Sequence, residues 1–133
     1  MEFGPAAPIF CVANVVASVD YYVGKLGFKV NWQVDGFASV SRDKCTIFLC
    51  QQDQGHVGAW TWIGVTDADV LAAELTASGA AIRNPPTNYP WAYEMQVQDP
   101  DGNVLRFGSD PRKDEPFGMF LDMHGRFWPA TQI

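Results

Sequence analysis

The residue types that most often carry out covalent or metal chemistry are few in this chain. There are two histidines, His56 and His124, and nothing in their spacing places them together. Three cysteines at positions 11, 45 and 50 form no Cys-x-x-Cys pair, so we expect buried thiols without a disulfide framework or zinc knuckle. No serine lies in a Gly-x-Ser-x-Gly turn. We therefore expect no catalytic nucleophile, no metal and no cofactor.

Aromatic side chains are the more unusual feature, because five of the 133 residues are tryptophan. Six aromatic residues lie in or beside predicted strands: Trp32, Phe37, Trp60, Trp62, Trp91 and Tyr93. Rings of this kind are commonly core residues, but at a surface they stack on flat heteroaromatic groups and attract cations. The chain is therefore suited to hold a flat, positively charged small molecule.

Composition narrows the class of partner. The formal net charge is −6, from 9 basic and 15 acidic residues, which disfavours nucleic acid and favours a cationic ligand. With 47% hydrophobic and 18% charged residues, the chain is predicted to be globular. It has no run of about 18 apolar residues and no pattern of a signal peptide. We expect a cytoplasmic protein that does not enter membranes.

The spacing of apolar residues predicts a repeated order of elements. A strand over 8–13, a helix from Val15 to Leu26 and three strands over 28–34, 37–42 and 45–51 form the first half. A strand over 59–65, a helix over 67–78 that begins with a Thr66/Asp69 capping box, and strands over 80–83, 91–98 and 103–108 form the second. The prolines of 84–90 predict an irregular loop.

The offset between the halves is constant. Asn14 and Asp67, which precede the two helices, are 53 residues apart, and Gly27 and Gly79, which follow them, are 52 apart. Such regularity predicts two similar modules. Residues 109–133 lie outside the repeat. Because 117–128 is rich in apolar side chains, we expect this extension to pack on the domain or on a second subunit.

Two motifs resemble the vicinal-oxygen-chelate superfamily, which includes glyoxalase I, extradiol dioxygenases and bleomycin-resistance proteins. Tyr21-Tyr22 followed by Leu26-Gly27-Phe28 is similar to its FY…LGF helix end, and Asp99-Pro100-Asp101-Gly102-Asn103 to its DPDGN hairpin. The resemblance covers about residues 8–108. It implies an α+β fold with two βαβββ modules, about 8–58 and 59–108, in one domain over 1–108. Each module would contribute a curled mixed sheet around a cleft.

Enzymes of this superfamily hold a divalent metal through His, Gln or Glu on strands of both modules. By the resemblance, three of the ligand positions fall on Ala7, Trp60 and Arg106. Alanine and tryptophan cannot ligate a metal, and arginine brings a charge that opposes one. The resemblance therefore implies a member without the metal centre.

Further stretches resemble the bleomycin-resistance proteins in particular. Asp35-Gly36-Phe37-Ala38, Ser41-Arg42-Asp43 and Thr46-Ile47-Phe48-Leu49 are similar to their DFAG…RD…TLF stretch, Ala59-Trp60-Thr61-Trp62 to their AWVW strand, and Pro90-Trp91-Ala92 with Glu94 to their PWGRE. The likeness implies aromatic walls of a drug cleft. The predicted ligand-binding residues are Trp32, Phe37, Phe48, Trp60, Trp62, Trp91, Tyr93 and Arg106.

Those proteins form homodimers that exchange an N-terminal strand around a proline matching Pro8, so we expect the same assembly here. The short polar loop over 52–58 and the long extension depart from their pattern and leave the ligand unidentified.

We therefore expect a metal-free small-molecule-binding protein that confers antibiotic resistance by sequestering a cationic aromatic antibiotic of the bleomycin type. One alternative is a metal-dependent lyase, isomerase or dioxygenase with displaced ligands. Another is an interaction module that uses the aromatic extension to bind a protein.

Overall fold

A computed structural model describes residues 1–51 and 53–130, which form two compact units. The first contains Met1–Thr61 and Gln98–Val104; the second contains Trp62–Val97 and the described residues from Leu105 onward. Each carries an open four-stranded sheet, and the two sheets have the same strand order. The prediction of an α+β fold with duplicated modules is confirmed. Among the described helices, none is both long enough and apolar enough to cross a membrane.

The first sheet is built from β1 (Ile9–Cys11), β2 (Lys29–Val34), β3 (Phe37–Arg42) and β4 (Cys45–Cys50), with α1 (Val15–Gly24) after β1. Its order is β1-β4-β3-β2; β1 runs parallel to β4, and the other pairs are antiparallel. Alternate residues bury one face. Ala38, Val40, Ile47 and Leu49 are fully buried there, because α1 packs on this sheet.

Helix α1 begins at Val15, as expected from the sequence, but ends at Gly24 with Lys25 as its C-cap, two residues before the predicted end at Leu26. The side chain of Asn14 accepts a hydrogen bond from the Ala17 amide (2.9 Å), which caps the first turn. After the helix, Gly27 has a φ of 74°, and the Phe28 amide donates to the Tyr22 carbonyl at 3.0 Å. Gly27 is therefore the left-handed residue of the turn that follows this helix.

The two sequence motifs meet inside the first unit. The buried Asp99 carboxylate accepts hydrogen bonds from the Tyr22 hydroxyl (2.9 Å), the Asp101 amide (2.9 Å) and both the amide and side chain of Asn103 (2.9 Å each). Burial raises the pKa of Asp99, and these donors oppose that rise. Asn103 also accepts from the Ala59 amide at 3.0 Å. These motif residues therefore hold the hairpin to the helix and have a structural role.

The second sheet has the order β5-β8-β7-β6. Its strands are β5 (Trp60–Gly64), β6 (Ala81–Asn88), β7 (Tyr93–Gln98) and β8 (Val104–Ser109), and α2 (Ala68–Ser78) follows β5. The predicted Thr66/Asp69 capping box is wrong. Asp67 is the N-cap, and its carboxylate accepts from the Asp69 and Val70 amides.

Strand β6 is twice as long as its prediction. Residues 84–90 were expected to form an irregular loop, yet β6 continues through Pro85 and Pro86 to Asn88. Because β6 lies at the edge of its sheet, a proline that lacks an N–H can be accommodated where no partner strand needs a donor. The number of prolines therefore did not indicate a loop over 84–88.

The extension forms a hairpin of β9 (Met119–Leu121) and β10 (Phe127–Pro129) in the second unit. The segment before it is held by Asn88. The amide of Asn88 donates to the carbonyls of Arg112 (2.8 Å) and Glu115 (3.0 Å), and its oxygen accepts from the Arg112 amide (2.8 Å). The Arg112 guanidinium lies 3.9 Å from the Tyr93 ring centre and pairs with Asp69.

The Tyr93 hydroxyl donates a hydrogen bond to the same Asp69 carboxylate at 2.7 Å. Burial, followed by the bond to Asp69, raises the pKa of Tyr93 from 10.0 to about 12. The folded state therefore holds the proton more tightly than the unfolded state. The resulting stabilisation is complete below pH 10 and is lost as the pH rises through about 12.

We expect Asp69→Asn to lower the pKa of Tyr93 from about 12 towards 10, because the charge that opposes phenolate formation is removed. Ultraviolet difference titration measures this shift, with Tyr93→Phe identifying the contribution of this tyrosine. An unchanged titration in Asp69→Asn would contradict the Tyr93–Asp69 bond.

Candidate ligand-binding surfaces

An aromatic cluster lies on the face of the first sheet that α1 does not cover. The rings of Trp32 and Phe37 are stacked, with centroids 5.3 Å apart and planes 13° apart. Phe48 lies 5.9 Å from Trp32 and 5.8 Å from Phe37. Trp32 remains 44% exposed, so part of its side chain is accessible to solvent. The structure brings these three predicted site residues together.

A β-bulge places Trp32 in this cluster. The pairing of β2 with β3 is irregular between Val30 and Trp32, and beyond that point Trp32 lies opposite Ser39. Ser39 shares a sheet face with Phe37. Without the extra residue, Trp32 would lie opposite Ala38, whose side chain faces the helix, and the indole would point into the core.

A groove with a volume of about 430 Å³ adjoins the stack. Its lining residues come from the β2–β3 turn, the end of β4 and the loop after it: Trp32, Val34, Asp35, Gly36, Phe37, Cys50, Asp53 and Gln54. Two of them, Asp35 and Asp53, are carboxylates, and the Cys50 thiol lies 3.8 Å from Asp53 Oδ1. A groove with an indole wall and two acids can hold a flat cation.

A second cluster in the second unit converges on one buried carboxylate. Glu94 is 1% exposed and accepts from Arg106 Nε at 2.8 Å and Arg106 Nη2 at 3.1 Å. The indole N–H groups of Trp62 (3.4 Å) and Trp91 also donate to it. Trp62 can lie so near because its neighbour is Gly108, where a Cβ would come within 2.6 Å of the indole.

The hairpin covers part of this second cluster. Phe120 is 9% exposed, and the Arg106 guanidinium carbon lies 5.0 Å from its ring centre. Tyr89 and Trp91 are stacked with centroids 4.8 Å apart, and both meet Phe120 edge-on at 5.9 and 6.1 Å. The extension therefore packs its own aromatic ring where the sheet presents a cation and two rings.

The described part of the chain contains no group of three or more His, Cys, Asp or Glu side chains placed to hold a metal ion. Of the three positions that the resemblance assigned to metal ligands, Ala7 and Trp60 are half-buried, and Arg106 is paired with Glu94. All three cysteines are free.

Comparison with known proteins decides the family. The model of the glyoxalase/bleomycin resistance protein/dioxygenase superfamily matches residues 5–107. The chain belongs to this superfamily. No curated protein matches the chain.

Solved structures of the superfamily's fold are similar over nearly their whole length. A bleomycin-binding protein from bleomycin-producing Streptomyces verticillus, solved with copper(II)-bleomycin, is 26% identical with a TM-score of 0.72, covering 82% of this chain and 98% of that one. TnmS3, an antibiotic-binding protein from Streptomyces sp. CB03234, is 22% identical with a TM-score of 0.71, covering 84% and 99%. A superfamily protein from Nocardioides is 18% identical with a TM-score of 0.66, covering 90% and 93%.

The eight predicted ligand-binding residues are divided between the two units. Trp32, Phe37 and Phe48 form the first cluster; Trp62, Trp91 and Arg106 form the second. Trp60 lies on β5 and is half-buried. Tyr93, next to Glu94 on β7, points the opposite way and bonds Asp69.

Sequence reasoning missed four residues that shape these surfaces: Asp53, Tyr89, Glu94 as a shared acceptor, and Phe120. One signal was present, since Glu94, Gln96 and Gln98 alternate with apolar residues on β7. Three polar residues on one face of an inner strand indicate that this face is not plain core. Nothing in the sequence indicates where Phe120 packs.

Replacing Glu94 tests the second cluster. We expect Glu94→Gln to lower the free energy of unfolding by roughly 2–4 kcal/mol, because removing one partner of a buried ion pair leaves the Arg106 charge uncompensated. Urea denaturation measures the loss. Glu115→Gln is the matched control, since its pair with Arg112 is exposed and should contribute less than about 1 kcal/mol. Equal losses in the two variants would show that Glu94 does not organise the cluster.

Proposed function

We propose that this superfamily member is a metal-free binding protein that sequesters a cationic aromatic antibiotic of the bleomycin type. The observation that carries the proposal is the open Trp32–Phe37 stack beside a groove that contains two carboxylates. The likeness to antibiotic-binding proteins supports the same role. Sequestration requires affinity alone, so it needs neither a nucleophile nor a metal.

The groove offers separate contacts for the two parts of such a ligand. A flat ring stacks on the exposed face of Trp32, a contact worth about 1–1.5 kcal/mol. A positive group lies near Asp35 and Asp53, where the charges attract it and ordinary salt weakens that attraction. Phe37 and Phe48 support the indole from behind and limit its motion.

Four predicted residues, Trp62, Trp91, Tyr93 and Arg106, belong to the second unit and do not line the Trp32 groove. Trp62 and Trp91 are 51% and 38% exposed, and their indole N–H groups are bound to Glu94. Arg106 and Tyr93 are held by Glu94 and Asp69, and we assign them no contact with the antibiotic.

Titration calorimetry with bleomycin tests this function. We expect Trp32→Ala to weaken binding by about tenfold, since losing one stack costs ~1.4 kcal/mol. Its matched control is Trp128→Ala, because Trp128 is similarly exposed, at 41% against 44%, and lies on β10. Both variants should keep the wild-type melting temperature to within a few degrees. Equal bleomycin affinity in wild type and Trp32→Ala would place the ligand elsewhere.

The acidic part of the groove is tested separately. We expect Asp53→Asn to weaken bleomycin binding by about three- to fivefold at low salt, and by less as salt rises, because an exposed charge pair contributes up to ~1 kcal/mol. Asp114→Asn, an exposed acid outside the groove, is the control. If a transition metal copurifies in near-stoichiometric amount with an activity, the metal-dependent enzyme is favoured instead.

We further propose a cytoplasmic homodimer. Within the chain β1 pairs with β4, but it is a three-residue edge strand preceded by the exposed residues 1–6 and the half-buried Ala7 and Pro8, which suits exchange around Pro8. Exposed Met119, Phe127 and Trp128 on the hairpin also favour contact with a second subunit. Light scattering should give twice the chain mass at micromolar concentration; a monomer mass would overturn the dimer.

A further inference from the structure

Phe120 of the hairpin packs against the Arg106 guanidinium and the rings of Tyr89 and Trp91. We propose that the second sheet carries a binding slot for a neutral, electron-rich aromatic ring, and that the chain fills this slot with its own Phe120. The hairpin would then compete with an external aromatic molecule for the slot. The slot lies in the second unit alone and is independent of antibiotic binding in the Trp32 groove.

The walls of the slot suit an aromatic ring. Phe120 meets the Arg106 guanidinium face-on at 5.0 Å and the stacked pair Tyr89 and Trp91 edge-on. A guanidinium attracts the negative face of an aromatic ring. The positive edge of one ring likewise attracts the negative face of another, which favours edge-to-face pairs. Because Glu94 neutralises Arg106, the slot has no net charge to offer an ionic ligand. The slot therefore favours a neutral aromatic ring. Among such rings indole is the best candidate, because its electron-rich face attracts a guanidinium most strongly.

The hairpin is held to the sheet as a bound peptide is held. It forms a separate two-stranded sheet, and β9 and β10 share no strand pairing with β5–β8. One backbone bond, from the Gly118 N–H to Asn88 O at 2.9 Å, joins the residue before β9 to the end of β6. Three side chains of the second unit also donate to backbone carbonyls of the hairpin. Gln96 donates to Leu121 O at 2.9 Å, Arg83 to Asp122 O at 2.5 Å, and Tyr89 to Met119 O at 3.1 Å.

The hairpin buries few of its own side chains. Phe120 and Leu121 are buried, as is Ala130 directly after β10, whereas Met119, Phe127 and Trp128 are exposed. An element that buries so little can detach at a much lower free energy than the unfolding of the whole unit. Opening the hairpin would uncover the slot while leaving Arg106 and Trp91 bound to Glu94.

Indole binding to the full chain tests the slot, measured by titration calorimetry together with the melting temperature. We expect Phe120→Ala to bind one equivalent of indole at least about tenfold more tightly than wild type, because the internal competitor is gone. Indole should also restore part of the melting temperature lost in this variant. The control Phe127→Ala removes an exposed ring from the same hairpin and should behave as wild type. Absent indole binding in Phe120→Ala, or equal binding in Phe127→Ala, would overturn the proposal.

A second variant separates a slot that the hairpin guards from a simple cavity left by a truncated side chain. Arg83→Met keeps Phe120 but removes the bonds from the guanidinium to the hairpin carbonyls. We expect indole to bind this variant more tightly than wild type, and the Phe120 and Leu121 amides to exchange faster with solvent. Faster exchange without tighter indole binding would overturn the proposal, even if Phe120→Ala fails to fold.

Discussion

The buried carboxylate of Glu94 is the constraint on which the second unit depends. A carboxylate with 1% exposure is stable only when its oxygens find donors, and here Arg106 and two indole N–H groups supply them. Meeting that requirement fixes the positions of Trp62 on β5, Arg106 on β8 and Trp91 in the turn between β6 and β7. It also leaves a guanidinium face and a pair of stacked rings beside it, and Phe120 packs against these.

The first unit has the same strand order but places its buried carboxylate elsewhere. Its polar network lies around Asp99, on the hairpin that follows β7, and ties Tyr22 of the helix to Asn103. That network leaves the other face of the sheet to Trp32, Phe37 and Phe48, which contact one another and need no polar partner. Two sheets with the same topology thus carry different aromatic surfaces: the Trp32 cluster is open, and the Glu94 cluster is covered by Phe120. The difference follows from which side chains each buried carboxylate binds.

Local signals in the sequence predicted most of the fold. The capping residue Asn14, the left-handed glycines Gly27 and Gly79, and the constant offset between them were sufficient to identify two modules. Errors arose where position in the sheet overrides local preference, as for the prolines in the edge strand β6. The site was less predictable. A bulge beside Asn31, whose side chain bonds Ser39 and Ser41, turns Trp32 towards Phe37, and no residue type announces it. The docking of Phe120 is a long-range contact that periodicity cannot reveal.

The most direct test of the proposed binding surface is the nuclear magnetic resonance signal of the five indole N–H groups during titration with bleomycin. Ring stacking at the groove should shift the Trp32 signal, assigned by its loss in Trp32→Phe. The Trp62 and Trp91 N–H groups bind Glu94 and should move less. A titration in which the Trp62 and Trp91 signals shift while the Trp32 signal stays fixed would contradict the assignment of ligand binding to the first unit.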